Sequence, residues 1–305
     1  MNLEELKKAF FRFHEDHPGM PLRDAAHRLD TTEAQLLTCF YGDGVTRLKN
    51  DWDRIFSFIP ELGQIHIEVR TECGIFESDT HDLTFDAKTK CFHTDNLKLL
   101  IHPPNFTHVF LVNEAYADDT EEQSLQFFNQ HGSALCKVFL RQDGSFKKLK
   151  DFSQSLIHEY QEEISVLPIP RERPDKDIDH IPDINDLFNY YLFLWKNQFT
   201  PTQAIRWMGE KKAKPCSIHQ VDSMAEKLVS SKTDLEFWIE NNGTFLYQKQ
   251  TIQKAYPRGP WYYFQGQNLL VRIRHLALGS AFIVKNSLQF YDKMGDTILG
   301  LRPWP

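Results

Sequence analysis

The chain has 305 residues, of which 41% are hydrophobic and 25% are charged. These are ordinary values for a globular protein, and they exclude a wholly disordered chain. The formal net charge of −7 argues against a general nucleic-acid surface, which needs a basic stripe. The five cysteines are scattered without a C-x-x-C pair, so neither a zinc ribbon nor a disulfide framework is indicated.

Two segments bear on location. The opening "MNLEELKKAFFRFHEDHPG" has the pattern of an amphipathic helix and lacks the apolar core of a signal peptide. The longest strongly apolar run, "LFNYYLFLW", is too short to span a bilayer. We therefore expect a soluble, cytoplasmic protein that binds neither nucleic acid nor membrane.

Helical patterns come first along the chain. Apolar residues at helical spacing predict a helix from Leu3 to Phe13, and Pro21 suits the first turn of a second helix. Thr32 followed by Gln35 is a capping box, which predicts the start of a third helix. A fourth, short helix in "DWDRIFSFIPELG" should end at Gly63.

Strand patterns follow these helices. Short β-branched or aromatic segments alternate with polar breaks, in the order "QIHIEVRT", "CGIFES", "LTFD", "LKLLIH", "THVFLVNEA", "SLQFFN" and "ALCKVFLR". This succession predicts an antiparallel meander. A further helix is expected from Asp151 to Ile164, and the proline- and charge-rich residues 165–183 are expected to form a linker.

The same order of elements then recurs. Three helices are predicted in "INDLFNYYLFLWKNQF", "TPTQAIRWMG" and "SIHQVDSMAEKLVSS". Strands are predicted in "LEFWIEN", "GTFLYQKQTI", "WYYFQGQ", "LLVRIRH", "SAFIVK", "SLQFYD" and "TILGLRP". Helices followed by strands, twice over, predict an α+β fold.

A repeated hairpin supports an internal duplication. "SLQFFNQHGSALCKVF" and "SLQFYDKMGDTILGL" both read as strand, turn and strand. Asn129 and Gly132 in the first turn correspond to Asp292 and Gly295 in the second. We therefore predict two pseudo-repeats, residues 1–164 and 184–305, each with N-terminal helices followed by a large antiparallel β-sheet.

The order and spacing of several segments resemble the HemS/ChuS-type family of haem-utilisation proteins over almost the whole chain. These segments are "LRDAAHRLDTTEAQLL", "DWDRIFSFIPELGQIHIEVRTECGIFE", "EEQSLQFFNQHGSALCKVF", "INDLFNYYLFLWKNQFTPTQAIRWM", "GPWYYF" and "SLQFYDKMGDTILGLR". The resemblance implies a cytoplasmic protein that receives imported haem and hands it on or opens its macrocycle. Haem is accordingly the candidate cofactor.

The resemblance also implies binding residues, and this chain departs from several of them. In such members a His on the first helix after the linker ligates the iron, but that position falls on Phe188. A distal Arg falls on Leu100, with Lys98 two residues earlier. Arg302 matches a basic residue of the closing strand, and Lys285 aligns with another. A benzyl group cannot donate to iron, so altered ligation is expected.

Two other ligand positions remain open. His180 lies a short way before Phe188, and its alternative role is that of a solvated linker histidine. Tyr190 and Tyr191 follow Phe188, and a Tyr phenolate ligates iron in some haem proteins, although both residues also suit packing. The predicted binding residues are therefore Arg302, Lys285, His180, Tyr190 and Phe188, with no catalytic residue and no separate metal site.

Three functions compete. The first is a carrier of haem or another flat porphyrin with altered iron ligation. The second is a haem-blind relative that regulates or binds a protein partner. The third is a haem-degrading enzyme, against which the substitution at Phe188 counts. The sequence ranks them in that order.

Overall fold

The fold was analysed in a computed structural model, which describes residues 2–115, 121–141, 143–168, 180–218, 226–230 and 232–303. Two compact units emerge, both built from segments that lie far apart in the sequence. Unit 1 comprises residues 1–65 and 104–169, and unit 2 comprises residues 66–103 and 170–305. The repeat boundaries at 164 and 184 stay a prediction, because compact units and internal repeats are different properties of a chain.

Unit 1 contains the helices that the sequence predicts before its strands, together with a later helix. They are α1 (Leu3–Asp16), α2 (Leu22–Arg28), α3 (Glu33–Thr38), α4 (Trp52–Phe58) and α5 (Asp143–Gln154). The capping box at α3 is present, since Thr32 Oγ1 accepts from the Gln35 amide at 3.2 Å while the Gln35 side chain bonds back to Thr32. A 3₁₀ turn, Ile59–Leu62, extends α4 and ends at Gly63 as expected.

The helix predicted from Asp151 to Ile164 is wrong in its bounds. Helix α5 ends at Gln154, and the chain then runs alongside another strand. Ile157 bridges Leu48, and the His158 amide donates to the carbonyl of Arg47 at 3.0 Å. These bonds satisfy backbone groups that a helix would have paired internally, so the apolar spacing of this segment reflects packing rather than helix.

Unit 1 contains a four-stranded antiparallel arrangement in the order β1-β7-β8-β9. These strands are β1 (Val45–Arg47), β7 (His108–Ala115), β8 (Glu121–Phe128) and β9 (Ala134–Leu140). A buried cluster on this sheet includes Val45, Phe110 and Phe128, together with Ala34 and Leu37 of α3. The amphipathic third helix therefore covers the sheet of its own unit.

Unit 2 contains α6 (Leu187–Asn197) and α7 (Pro201–Met208). Gln198, in the left-handed conformation at φ 58°, ends α6. A capping box of Thr200 and Gln203 starts α7 with Pro201 in its first turn. Residues 226–230 are helical, but residues 219–225 of the third predicted helix lie outside the described residues. No helix in the described part of the chain is long and apolar enough to cross a bilayer.

The strands of unit 2 form two antiparallel sets. The nine-stranded set has the order β10-β16-β17-β18-β11-β12-β6-β5-β4, and the other has the order β2-β3-β15-β14-β13. Their bounds are β2 (Ile65–Arg70), β3 (Gly74–Thr80), β4 (Thr84–Asp86), β5 (Cys91–His93), β6 (Leu97–Ile101), β10 (Ala213–Pro215), β11 (Leu235–Glu240), β12 (Thr244–Gln250), β13 (Lys254–Arg258), β14 (Trp261–Gln265), β15 (Leu269–Ile273), β16 (Ser280–Val284), β17 (Ser287–Tyr291) and β18 (Thr297–Arg302).

The strand orders confirm the α+β fold with two pseudo-repeats. The order β1-β7-β8-β9 of unit 1 corresponds to β10-β16-β17-β18, and β2-β3 corresponds to β11-β12. The expected meander is wrong, however. Strands β6, β5 and β4 continue from β12, while β15, β14 and β13 continue from β3. A strand with alternating apolar and polar residues can pair with many antiparallel strands. The sequence therefore did not specify this exchange of strands between the repeats.

Candidate functional site

The first helix of the second repeat lies on a large apolar cluster. Asp186 caps α6 by accepting from the Asn189 amide at 3.2 Å. The cluster beneath α6 and α7 combines their apolar side chains with those of the nine-stranded set, among them Leu187, Tyr190, Tyr191, Leu194, Trp195, Ile205, Trp238, Phe245 and Tyr291. An almost continuous apolar helix is expected where one side packs on a sheet and the others are covered by neighbours.

Phe188 lies at the edge of this cluster and is half-buried. Its ring meets the Phe245 ring edge to face, with centroids 5.4 Å apart, and Lys98 Nζ lies 5.2 Å from its centroid. Lys98 is directly opposite Tyr247 in the β6–β12 register. We call Phe188, Lys98, Phe245 and Tyr247 the Phe188 face.

A cation therefore stands beside Phe188, although the position matched to the distal Arg is apolar. Leu100 is only 2% exposed and belongs to the buried cluster. Lys98 lies on the same side of β6, because residues two apart on a strand point to one face. The sequence offered Leu100 and the nearby Lys98 for the position of the distal Arg. Of these two residues, Lys98 is the one that contacts α6, through the ring of Phe188.

Tyr190 and Tyr191 lie inside the core. Trp238 Nε1 donates to Tyr191 Oη at 3.0 Å, and Thr297 Oγ1 lies 3.0 Å from the same oxygen. Tyr190 Oη has no hydrogen-bond partner among the described residues. Burial raises the pKa of both phenols well above the ordinary value, so neither phenolate is favoured as an iron ligand. Packing accounts for both placements, and a direct ligand contact of Tyr190 stays a prediction.

Trp238 occupies space left by a glycine. A Cβ at Gly300 would lie 1.9 Å from the indole of Trp238, so the ring lies flat against β18 only because position 300 carries no side chain. Trp195 Nε1 donates to Glu240 Oε1 at 2.7 Å on the same side of the sheet. Trp195 was expected from the sequence to fill the space beside Phe188, whereas Trp238, Glu240 and Gly300 were not singled out, and the glycine within "TILGLR" was the available signal.

Arg302 is held at the end of β18. Its Nε donates to Glu236 Oε2, and its Nη1 donates to the Asn185 carbonyl at 3.2 Å, just before α6. The guanidinium also lies 5.9 Å from the Trp238 ring centroid. Burial and the nearby Glu236 carboxylate raise the pKa of Tyr247 to about 12, so Tyr247 is a neutral hydrogen-bonding group at pH 7.

Lys285, in the turn between β16 and β17, contacts the segment just before α6. Its Nζ donates to Asp183 Oδ1 at 2.5 Å, and this bond holds the pKa of the Asp183 carboxyl below its ordinary value. His180 is exposed, and none of the contacts found among the described residues joins it to Phe188. The structure thus brings Lys285, Arg302 and Lys98 to residues 183–188, but it does not bring His180 there.

Haem fits this site only in part. Phe188 has no donor for iron, and the two buried phenols next to it are disfavoured as phenolates, so an iron ligand from α6 does not fit. The aromatic and cationic groups match the face and carboxylates of a porphyrin in kind. A porphyrin needs about 7 Å between two walls, and Phe188 already contacts both Phe245 and Lys98, so its ring has to move. No metal-holding group of His, Cys, Asp and Glu occurs among the described residues.

Comparisons with known proteins agree with this fold. Residues 30–160 match the family described as the haemin-degrading HemS.ChuX domain. The chain is 20% identical over 286 residues to the hemin transport protein HmuS of Yersinia pestis, which covers 88% of this chain and 81% of that protein. It is likewise 20% identical over 283 residues to the hemin transport protein HemS of Yersinia enterocolitica, with the same coverage of 88% and 81%.

Solved structures share the same architecture. The holo form of PhuS, a heme-binding protein from Pseudomonas aeruginosa, has a TM-score of 0.83 at 20% identity and covers 100% of this chain and 96% of its own. The heme degrading enzyme ChuS from Escherichia coli O157:H7 has a TM-score of 0.82 at 18% identity, over 98% of this chain and 93% of its own. The chain thus contains a match to the HemS.ChuX domain and shares the two-repeat fold of PhuS and ChuS, so it is similar to the HemS/ChuS-type haem-utilisation proteins.

Proposed function

We propose that this chain carries haem or a closely related flat porphyrin at the Phe188 face, without an iron ligand from α6. The main support for the proposal is that three cationic side chains contact residues 183–188. Lys285 binds Asp183, Arg302 binds the Asn185 carbonyl, and Lys98 lies over Phe188. A porphyrin of this class has a flat apolar body and two carboxylates, which aromatic rings and cations complement.

Lys98 is the cation best placed to meet a porphyrin carboxylate. Arg302 is balanced by Glu236 and Lys285 by Asp183. Lys98 has no carboxylate partner among the described residues and is exposed, so pairing with a new anion breaks no existing ion pair. Phe188 lies on the first turn of α6 and is half-buried, which allows its ring to turn outward while the helix stays on the sheet.

Affinity in this proposal comes from burial of the macrocycle and from its carboxylates. Burial of apolar surface stabilises a complex by roughly 25 cal/mol per Å², before the cost of association. Neither contribution depends on the metal. Relatives named as a hemin transport protein and a heme-binding protein support haem as the class of ligand. Phe188 at the position of the iron-ligating His supports binding without that ligand. The cytoplasmic location expected from the sequence stays a prediction.

The test compares hemin with iron-free protoporphyrin IX by quenching of tryptophan fluorescence. We expect one equivalent of each to bind, with dissociation constants within about threefold of each other, because no protein donor contributes to the iron form. Lys98→Gln should weaken both by about fivefold or more, and Lys254→Gln, on an exposed strand of the other set, should change neither. Hemin binding about a hundredfold tighter than the iron-free ring would contradict the proposal.

One observation favours a second candidate, the haem-blind module. Phe188 contacts Phe245 and Lys98 directly, so the space beside α6 is already filled. If the wild type binds neither porphyrin, whereas Phe188→Ala binds both, the phenyl ring closes the site and a role through protein surfaces is favoured. The third candidate, degradation, is tested in the same cuvette by adding a reductant and following loss of the hemin absorption band.

A further inference from the structure

The strands β13, β14 and β15 of unit 2 have a buried face and an outward face. On β14, Tyr262 and Phe264 are 6% and 0% exposed, so they belong to the buried face. Trp261 and Tyr263 alternate with them along the strand and therefore point the other way, where both are half-buried. The outward face of β14 is thus aromatic.

Cations and a further aromatic ring stand beside these two outward residues. Residues directly opposite each other on antiparallel strands point to the same face. The opposite pairs are Tyr256 with Tyr263, Arg258 with Trp261, and Arg272 with Tyr263. Lys254 lies two residues before Tyr256 on β13 and shares its face. We call this surface the Tyr256 face, and it consists of Lys254, Tyr256, Arg258, Trp261, Tyr263 and Arg272.

The rings of the Tyr256 face are held by contacts with each other and with a cation. The rings of Tyr256 and Tyr263 are stacked, with centroids 5.2 Å and planes 5° apart. The guanidinium carbon of Arg274 lies 4.8 Å from the ring centroid of Trp261. Side chains that are already ordered lose less entropy when a partner binds. Tyr256 is nonetheless 36% exposed, so part of this ordered surface is open to a partner.

The Tyr256 face is positively charged in a chain whose net charge is −7. Residues 241–291 contain no Asp or Glu, although the chain has 42 acidic residues in all. Lys254 and Arg258 are exposed, and neither makes an ion pair with a residue that the structure describes. Arg272 is balanced, since its Nη2 donates to Glu77 Oε1 at 2.7 Å. Two cations of the face therefore remain for a partner.

The edge of this strand set is less suited to a partner than its face. β13 is the last strand of the set, and it contains Pro257. Proline occurs on edge strands with its nitrogen toward solvent, where the missing amide hydrogen disfavours pairing with a further strand. A partner therefore has to use the side chains of the face.

We propose that the Tyr256 face is a docking surface for an acidic segment of another protein. Carboxylates of the partner pair with Lys254 and Arg258, and its apolar side chains cover Tyr256 and Trp261. Tyr, Trp and Arg are the residues that contribute most to the affinity of protein interfaces, whereas Asp and Glu are depleted there. The positive face attracts an acidic segment and repels a basic one.

A nucleic acid fits this surface less well. Its affinity grows with the number of phosphates that cations neutralise, and the Tyr256 face has two cations without a carboxylate partner. Bases bind by stacking on open aromatic rings, but Tyr256 and Tyr263 cover each other and Arg274 covers one side of Trp261. A second copy of this acidic chain is the other alternative occupant, and the test separates both from the proposal.

The docking proposal does not depend on porphyrin binding. The Tyr256 face is formed by β13, β14 and β15, whereas the Phe188 face is formed by α6, β6 and β12. The two surfaces share no residue. A failure to bind hemin leaves the docking proposal standing, and a failure to bind an acidic peptide leaves the porphyrin proposal standing.

The test is an NMR titration of the full chain with an eight-residue peptide of alternating Glu and Leu at constant ionic strength. We expect saturable shifts of the amides of β13, β14 and β15. Arg258→Gln and Lys254→Gln should each weaken binding by about threefold or more, because each removes a cation that meets a carboxylate. Lys147→Gln, which removes an exposed cation on α5, is the matched control and should change the affinity by less than about twofold.

Two results with peptides would overturn the proposal. One is a set of shifts that rise linearly without saturation, or that a peptide of alternating Lys and Leu produces equally. The other is an equal loss of affinity in Lys147→Gln and Arg258→Gln, because this describes general screening of surface charge.

Two further measurements identify the other occupants. Binding of an eight-residue oligothymidylate to the same amides, about tenfold tighter than the acidic peptide, would assign the face to nucleic acid and overturn the proposal. A dimer of the free chain in sedimentation velocity that Arg258→Gln dissociates would assign it to a second copy, with the same consequence. We expect neither result.

Discussion

The two hairpin turns, β8–β9 and β17–β18, are built in the same way although only some of their residues agree. The Asn129 amide donates to the Ser133 carbonyl at 3.0 Å, and the Asp292 amide donates to the Asp296 carbonyl at 3.1 Å. Each side-chain Oδ1 accepts from the amides two and four residues further on, at 2.9 and 3.1 Å from Asn129 and at 2.9 and 3.0 Å from Asp292. Asn and Asp both suit this turn because either side chain can cap it.

Each turn also packs against a helix cap. A Cβ at Gly132 would lie 2.3 Å from Oγ1 of Thr32, the residue that caps α3. A Cβ at Gly295 would lie 2.3 Å from Oγ1 of Thr202 and 3.2 Å from Thr200, which caps α7. Both glycines have positive φ, 71° and 91°. The contact of turn and cap is therefore common to the two repeats.

The interiors behind these turns differ. Lys137 of β9 pairs with Gln126, and Gly300 of β18 pairs with Gln289 in the matching register. Lys137 makes a buried ion pair with Glu33 at 2.5 Å, whereas Gly300 makes room for the Trp238 ring. At this matched position the first repeat therefore has a buried charged pair, and the second has the ring of Trp238.

The largest effect is expected from breaking the ion pair. Lys137→Met keeps the length of the side chain but leaves the Glu33 carboxylate, whose side chain is 4% exposed, without its cation. We expect a loss of about 3–5 kcal/mol in the free energy of unfolding, measured with urea. Lys147→Met, on the exposed side of α5, should cost less than about 0.5 kcal/mol.

The double variant Lys137→Met/Glu33→Gln should recover part of that loss, because it removes the uncompensated charge. A loss below about 1 kcal/mol in the single variant would mean that the buried pair does not hold this interior together.

An intermediate effect is expected at the two turns. Gly132→Ala and Gly295→Ala place a Cβ against a capping Thr and force a positive φ, so each should cost about 2 kcal/mol or more in unfolding free energy. Gly19→Ala is the control for φ alone, since Gly19 has φ 80° and nothing within 4 Å of its Cβ position. It should cost about 1 kcal/mol. A Gly295→Ala loss no greater than that of Gly19→Ala would contradict the matched contact.

The smallest effect is expected at Asp292 in the second turn, where the free energy of unfolding should depend on pH. Burial, with the charge of Asp296 second, raises the pKa of Asp292 to about 7 from 3.8. Because the folded-state pKa is the higher one, the stability that this carboxyl contributes is complete below pH 4 and is lost as pH rises toward 7. Asp292→Asn, which copies Asn129, should therefore be more stable than the wild type by about 1–2 kcal/mol at pH 8 and nearly equal to it at pH 4.

Urea unfolding at several pH values between 4 and 8 measures this difference. The converse variant, Asn129→Asp, should show a smaller pH dependence, because Asn129 is only half-buried and Ser133 stands where the second turn has Asp296. If the stability of the wild type and of Asp292→Asn changes in parallel with pH, the dependence arises from another group.

Local features of the fold were predictable from the sequence. The capping boxes at Asn2, Thr32 and Thr200 and the two hairpin turns depend on residues three to five apart, so their signals survive in a short stretch of sequence. Of the three boxes, the one at Thr32 was predicted. The exchange of strands between repeats was not predictable, because it depends on which of several similar strands pair. The end of α5 was misplaced for a related reason, since pairing of Ile157 with Leu48 replaced the helix.

The candidate site was predictable in part. The matched positions of Phe188, Arg302 and Lys285 converge on residues 183–188. The burial of Tyr190 and the contact between Lys98 and Phe188 are set by the packing of α6 on the sheet. Trp238 lies where it does because Gly300 is on the neighbouring strand, a relation between positions 62 residues apart that no local pattern contains.

The central claim is that the first turn of α6 faces a porphyrin and that its phenyl ring replaces an iron ligand. Phe188→His tests this directly through the absorption spectrum and affinity of bound hemin, with iron-free protoporphyrin IX as the reference. Hemin should then bind about tenfold tighter or more, with a shifted absorption band, while the iron-free ring binds as it does to the wild type. An unchanged spectrum and an unchanged affinity for hemin would show that position 188 does not face the iron.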